Sequence, residues 1–373
     1  MMQKVYNISS VHPWSDTRIF FREASSISVN PKYEVVHIAV ANGVNTHINT
    51  PIDIQLIPKR TKLQRYKNWR ILWREIKIGK PNIVHFHDPE LLLLAWFIRK
   101  RLNLTLIYDM HENVPQVVGS KQSIPKSWRK VAKWLYQKIE KWLMRSCDGV
   151  IFAEEHYKLN YRFLTCPTVD IYNYPAISSS EESLPKQECF TFVYIGSISE
   201  LRGAGLMIDM AEQLAKHCTD FQIRVIGTGF EAFQAEADFR GVSKWIHFEG
   251  AMPFDKAFEV LQTAHVGLSL LKRHPNFLGC KPTKCMEYMA AGVPFMVSNF
   301  LMQEDLKRYP CGVSVDTADI DSIVDAALYL LDNRTVVKEM GLVGKRAYQE
   351  TYSWKTEEAK LIQFYSELEE VSH

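Results

Sequence analysis

Cysteine is scarce in this chain. The 373 residues hold seven, an odd number, at positions 147, 166, 189, 218, 280, 285 and 311, with no CxxC pair among them. That pattern fits reduced packing residues better than a disulfide framework or a zinc site. Long apolar runs are missing too. The run at residues 91–97 is far too short to cross a bilayer, and residues 1–10 lack the charged and apolar regions of a signal peptide, so a cytosolic protein is expected. There is no internal repeat and no low-complexity tract, which sets repeat architectures aside.

What is present is ordinary globular composition at a large size. With 46% hydrophobic and 23% charged residues, the chain is longer than one hydrophobic core usually serves, and two domains are expected. The formal net charge of +3 hides an asymmetry. Between Lys59 and Lys80 stand nine basic residues against Glu75 alone, and between Lys121 and Arg145 eight against Glu140 alone. Positive charge is therefore concentrated in the first half.

Short β-branched or apolar runs at residues 5–9, 35–40, 83–86, 105–108 and 150–153 alternate with amphipathic stretches. That alternation predicts a parallel sheet with helices on both faces. Residues 173–188 (NYPAISSSEESLPKQE) are rich in Pro, Ser and acid without hydrophobic period, and read as a linker. A second α/β set follows, with strands expected at 190–195, 222–226, 245–248, 266–270 and 294–297. Residues 352–369, carrying Trp354, Leu361, Ile362, Phe364, Tyr365 and Leu368, read as a helix of the kind that packs back on a first domain.

In open parallel sheets ligands bind beyond the carboxyl ends of strands, so the residues after each expected strand are the candidates. Residues 10–18 (SVHPWSDTR) crowd His12, Asp16 and Arg18 into a turn ahead of a helix beginning near Ile19. Two readings are open: backbone N–H groups with Arg18 receiving an anion, or Asp16 capping the helix with Arg18 solvated. His85 and His87 share one side of a strand that runs into HDPE, with Asp88 next. The following strand end, DMHE, repeats the theme with Asp109, His111 and Glu112. Lone histidines are usually core residues, but recurrence at neighbouring strand ends points to one pocket.

In the second half, GSISELRG (Gly196, Ser197, Arg202) and GTG (Gly227, Gly229) are βα turns where backbone can approach a phosphate. The stretch KPTKCMEYMAAGVP, residues 281–294, runs a basic loop into a short helix. Its Glu287 carboxylate can accept both ribose hydroxyls, and Lys284 or Lys281 can meet a diphosphate; the competing reading makes Glu287 a helix-dipole residue amid core Met and Tyr. Asp319 and Asp321 form a DxD that precedes an apolar helical run and is expected to start a helix, so no metal site is assigned.

At SVHPWSDTR, VHFHDPELL, YDMHENVP, YIGSISELRG, VIGTG and KPTKCMEYMAAGVP, over nearly its whole length, the sequence resembles the retaining family 4 glycosyltransferases of the GT-B fold, bacterial surface-polysaccharide type. The resemblance implies an α/β protein of two Rossmann-like domains facing across a cleft. Residues 1–172 would bind the acceptor, 173–189 link, 190–350 bind the nucleotide sugar, and 351–373 return to the first domain as a helix. It implies metal-independent transfer of a hexosyl or N-acetylhexosaminyl group from a UDP- or GDP-sugar, with no cofactor, to a glycan or lipid-linked glycan of lipopolysaccharide or capsule. Arg202 and Lys284 would meet the diphosphate, Glu287 the ribose, and His87 the transferred sugar. His12, Asp16, Arg18, Asp88, Asp109, His111 and Glu112 would line the acceptor side. Two positions depart from the family: Gly279 stands where many members have a first glutamate, and Ser197 where an arginine is common.

Tryptophans interleave with both basic stretches: Trp69 and Trp73 in the first, Trp128, Trp134 and Trp142 in the second. Basic residues beside tryptophan suit a helix on an anionic membrane, and predict peripheral attachment to the inner face of the cytoplasmic membrane. Two other classes share some of these features: a nucleotide-sugar epimerase of the same fold, and a nucleic-acid-binding module. The second is disfavoured because it leaves the carboxylates and histidines at strand ends unexplained.

Overall fold

The structure is a computed structural model that describes residues 2–44, 46, 48–111, 125–177, 184–275 and 277–371. Two compact units emerge, one of residues 1–173 and 354–373, the other of residues 174–353.

In the first unit seven parallel strands, β1 (Gln3–Pro13), β2 (Tyr33–Val40), β3 (Asp53–Ile57), β4 (Ile83–Phe86), β5 (Thr105–Met110), β6 (Gly149–Phe152) and β7 (Thr168–Asp170), lie in the order 3-2-1-4-5-6-7. Their side chains alternate between two cores. Val5, Val35, Ile83, Ile107 and Ile151 face the helical segments Ile19–Ala24, Ser25–Val29 and Trp354–Val371. Tyr6, Val36, Val84, Leu106 and Val150 face Tyr66–Gly79, Leu92–Arg99 and Lys126–Met144. Burial on both faces is why the inner strands read as continuous apolar runs. The C-terminal helix buries Leu361, Phe364, Tyr365 and Leu368 here, each worth about 1.5–3 kcal/mol relative to exposure. A Cβ on Gly149 would lie 2.7 Å from Phe364 and 2.8 Å from Leu368, so glycine at the start of β6 is what admits this helix.

The second unit repeats the plan with six parallel strands, β8 (Phe190–Ile195), β9 (Phe221–Ile226), β10 (Ile246–Gly250), β11 (Val266–Ser269), β12 (Phe295–Ser298) and β13 (Gly312–Val315), in the order 10-9-8-11-12-13. Helices Ala204–Leu214 and Ile320–Asp332 pack on one face over Phe190, Phe192, Ile223 and Leu268. Asp319 accepts the Asp321 N–H and caps the second of these, as the DxD reading expected. All seven cysteines are free.

Three strands escape the sequence reading, β3, β7 and β13, and all are sheet edges. Each is partly exposed, so none carries a continuous apolar run. The segment read as a linker is tied down at both described ends. The Tyr348 hydroxyl donates to Pro175 O at 2.7 Å and accepts from Ile177 N at 2.9 Å, while Lys186 Nζ reaches Ala264 O at 2.7 Å. Sequence period cannot reveal such bonds, because they join residues far apart in the chain.

Candidate functional site

In each sheet the strand order reverses once, between β1 and β4 and between β8 and β11. At such a point the loops leave in opposite directions and open a crevice. The candidate residues gather at both places.

In the first unit the polar residues continue one face of the sheet. Asn7, His37, His85 and Asp109 occupy inward positions in the same alternation as Val5, Val35, Ile83 and Ile107, and all four are fully buried. Asp109 lies inside β5, since that strand runs two residues further than the apolar run suggests. Arg18 is neither solvated nor turned to a ligand. It is 4% exposed, with Nε and Nη2 donating to the two Asp109 oxygens at 2.9 and 2.8 Å, and Nη1 to Ile171 O at 2.7 Å. Glu23, which the sequence reading passed over, is wholly buried 2.9 Å from Arg18 Nε.

One guanidinium thus serves two carboxyl groups. Burial pushes Glu23 well above the usual carboxyl range. Burial acts on Asp109 in the same sense, but Arg18, His111 and His87 outweigh it and hold Asp109 well below. The resulting state is an ionised Asp109, a neutral Glu23 and a charged Arg18. Glu23, His85, His87 and Asp109 also offer ligand atoms within 4.8 Å of one another. Arg18 already supplies the positive charge there, so a divalent ion would have to displace a bidentate guanidinium.

His87 is 1% exposed. Asn7 Nδ2 donates to its Nε2 at 3.0 Å, which leaves Nδ1 to donate to Asp109 Oδ2 at 3.1 Å. Burial pushes its pKa down to about 4 and that of His37 down to about 3. The sequence reading put His87 against a ligand; its ring centroid lies 5.3 Å from that of His111, whose side chain is 16% exposed, while that of His12 is 32% exposed. Asp88 is buried and accepts from Ser9 Oγ at 2.9 Å and His12 Nδ1 at 2.9 Å. Burial opposes the Asp88 charge, but His12, Ser10 and Ser9 hold its pKa low, and Asp88 in turn raises His12 against its own burial. Asp16 caps the turn, accepting from Arg18 N and Ile19 N at 2.9 Å each. Those N–H groups are therefore taken up internally. Glu112 lies outside the described residues.

In the second unit the turns after β8 and β9 are sewn together, Gly196 N to Ile226 O and Ile198 N to Thr228 O, both at 2.9 Å. Gly227 has φ +151, and a Cβ there would fall 1.8 Å from Gly196 O, so only glycine permits this approach. Gly229 follows in the same turn with φ +86, and Ser197 is exposed at the tip of the first. Lys284 enters from the helix Thr283–Ala290. Its ammonium is buried with no hydrogen-bond partner among the described residues, 3.7 Å from the Tyr194 ring centroid and 3.7 Å from where a Gly196 Cβ would sit. Burial pushes its pKa down to about 7, with Arg202 adding to the effect and Cys285 and Glu287 opposing it. Arg202 lies near the Tyr194 hydroxyl and opposes the rise in its pKa from burial, and Glu287 lies one turn beyond Lys284 on the same helix. Gly196, Arg202, Lys284 and Glu287 are therefore brought together, whereas Lys281 turns aside to Asp305 at 2.6 Å. Gly279 has φ +79, a left-handed conformation in which a glutamate would be strained.

Two families match the chain, one in each unit: "Glycosyltransferase Family 4" over residues 28–162 and "Glycosyl transferases group 1" over residues 189–333. Neither describes an epimerase or a nucleic-acid-binding module. No curated protein matches. Among solved structures, sucrose-phosphate synthase of Thermosynechococcus elongatus aligns with a TM-score of 0.75 at 16% identity, covering 99% of this chain and 100% of its own. HepE of Anabaena, in complex with UDP, aligns at 0.70 and 11%, covering 98% and 100%. WaaG, a glycosyltransferase involved in lipopolysaccharide biosynthesis, aligns at 0.67 and 14%, covering 96% and 98%. The chain has the GT-B type of fold, and the two matched segments support a glycosyltransferase of the family 4 type.

Proposed function

We propose that this family 4-type glycosyltransferase takes a UDP- or GDP-sugar on its second unit and transfers the hexosyl or N-acetylhexosaminyl group, with retention and without a resident metal, to a glycan or lipid-linked glycan bound by its first unit. The observation that carries this reading is the buried, unpartnered Lys284 ammonium at the strand reversal beside Gly196 and Arg202. A buried cation without a partner is costly, and a diphosphate is the anion that two adjacent cations and a glycine turn suit. Lys284 and Arg202 would stabilise the departing nucleoside diphosphate, and Glu287 would hold the ribose. The UDP complex of HepE, of the same fold, is consistent with this. The Arg18 guanidinium, held by both oxygens of Asp109, supports metal independence in the first unit.

On the acceptor side, His12 and His111 are the imidazoles that reach a ligand. Asp88, Asp109 and His87 position them, with Arg18 and Asp16 inside the framework. Lipopolysaccharide or capsule synthesis is the setting we assign, in keeping with WaaG. A thermal-shift screen with UDP, GDP and their sugars tests the donor site. Stabilisation by one nucleotide, erased in both Glu287→Ala and Arg202→Ala, is expected; no response to any of them removes the proposal. An epimerase would convert donor alone, whereas a transferase needs acceptor for more than slow hydrolysis.

We place the enzyme at the cytoplasmic membrane surface on the evidence of one inverted helix. Among the described residues no helix is long and apolar enough to cross a membrane. In Lys126–Met144 the outward residues are Trp128, Val131, Trp134, Leu135, Ile139 and Trp142, 48–64% exposed, while Arg129, Lys133 and Gln137 are half-buried and Glu140 is buried. In the other basic helix, Tyr66–Gly79, Leu72 and Ile76 turn into the core and Trp69 packs against it. An apolar outward face among lysines fits an anionic bilayer. Vesicles of phosphatidylglycerol should carry the protein in flotation at low salt, and Trp128→Ser with Trp134→Ser should abolish this. Equal flotation of the double variant rules out this helix as the contact.

A further inference from the structure

Tyr194, the penultimate residue of β8, is 1% exposed, and its ring and hydroxyl contact both Lys284 and the turn after β8 in the proposed donor site. The hydroxyl donates to the carbonyl of Ser197 at 2.7 Å and so pins the turn that follows β8. Arg202 lies close enough to the same oxygen to act against the rise in pKa that burial imposes on it. Above the ring face, 3.7 Å from its centroid, lies the Lys284 ammonium. Two cations are thus gathered on one aromatic side chain, where their mutual repulsion is opposed by the ring's negative face and the phenol oxygen.

We propose that Tyr194 is a positioning residue of this site, storing Lys284 and Arg202 side by side at the place a pyrophosphate occupies. The inference rests on the donor-site reading above and adds to it a consequence that this reading alone does not require. The groups facing Lys284 are Tyr194, Arg202, Cys285 and Glu287, and burial together with Arg202 outweighs the others, leaving its pKa at about 7. At pH 8 the lysine of the free protein is therefore mostly neutral. A bound diphosphate favours the charged form, so binding draws a proton from solvent onto Nζ. At pH 6 the lysine is already charged and no proton is taken up at Nζ.

Titration calorimetry with UDP and with GDP, at pH 8 in two buffers of different ionisation enthalpy, measures that proton directly. The wild type should take up close to one proton per nucleotide bound, with affinity falling up to ~10-fold per pH unit above 7.5. Lys284→Arg should bind with the uptake lost, because a guanidinium is always charged. Tyr194→Leu removes both ring and hydroxyl and should weaken binding by about 5- to 30-fold. Tyr194→Phe keeps the ring face and should retain the uptake while binding a few-fold more weakly. Should Tyr194→Leu fail to fold, the wild-type proton count and Tyr194→Phe still decide the matter. Nucleotide binding with no proton uptake at pH 8, or Tyr194→Leu binding like the wild type, overturns the inference and leaves the donor site standing. If neither UDP nor GDP binds the wild type, the donor-site reading falls and takes this inference with it.

Discussion

In the first unit the buried guanidinium of Arg18 meets both oxygens of Asp109 and lies against Glu23; in the second the buried ammonium of Lys284 meets no hydrogen-bond acceptor among the described residues. Both groups sit where the order of a parallel sheet reverses, so topology alone does not separate them. What differs is the charge balance. The Arg18 and Asp109 charges cancel in a bidentate pair, beside a Glu23 whose oxygens carry no hydrogen bond among the described residues, and such a pair can hold a backbone and an imidazole in place without a ligand. Lys284 is left open, and an open cation at a glycine turn is what a diphosphate completes.

The sharpest way to break this comparison is to delete each cation and watch stability. Arg18→Met leaves Asp109 buried without its counter-charge and should cost about 3–5 kcal/mol in urea denaturation. Lys284→Met, by contrast, removes a buried ammonium that has the Tyr194 ring face but no hydrogen-bond acceptor among the described residues. It should raise the stability of the ligand-free protein by about 1–3 kcal/mol while abolishing nucleotide binding. A Lys284→Met protein less stable than the wild type would mean that the ammonium has a partner we have not identified, and the contrast between the units would fail.

The pH dependence should also differ between the units, in its window rather than in its direction. His87 and His37 are held neutral in the fold, at about 4 and about 3, but take protons near 6.5 when unfolded. The unfolded chain therefore binds more protons below pH 6.5, and the first unit loses stability as pH falls toward 4, at up to ~1.4 kcal/mol per pH unit for each histidine. Lys284, folded at about 7 against 10.5 unfolded, makes the second unit gain stability as pH rises from 7 to 10. Hydrogen exchange on the amides of β4 and β5 against those of β8 and β11 reads the two trends separately. A gain from pH 7 to 10 on β4 and β5 as large as that on β8 and β11 would refute the assignment of charge states.

Much of this architecture was open to the sequence. The inner strands, buried on both faces, announce themselves as apolar runs, and glycine turns and lysines at strand ends mark the second unit's site. Edge strands β3, β7 and β13 did not, because a half-exposed strand of three to five residues has no period to read. Glu23 and Asn7 offered one missed signal, a polar residue where an apolar one belongs in an inward pattern. Tyr194 offered none, since a tyrosine in a core strand looks like any other.

Residue order alone determined that the chain builds two parallel-sheet units and which side chains end each central strand, because hydrophobic period and turn chemistry are local properties. The three-dimensional packing decided which charges are cancelled and which stay open. Arg18 meets Asp109 across 91 positions, and Lys284 reaches Tyr194 across the sheet's reversal, and neither pairing leaves a trace in local sequence.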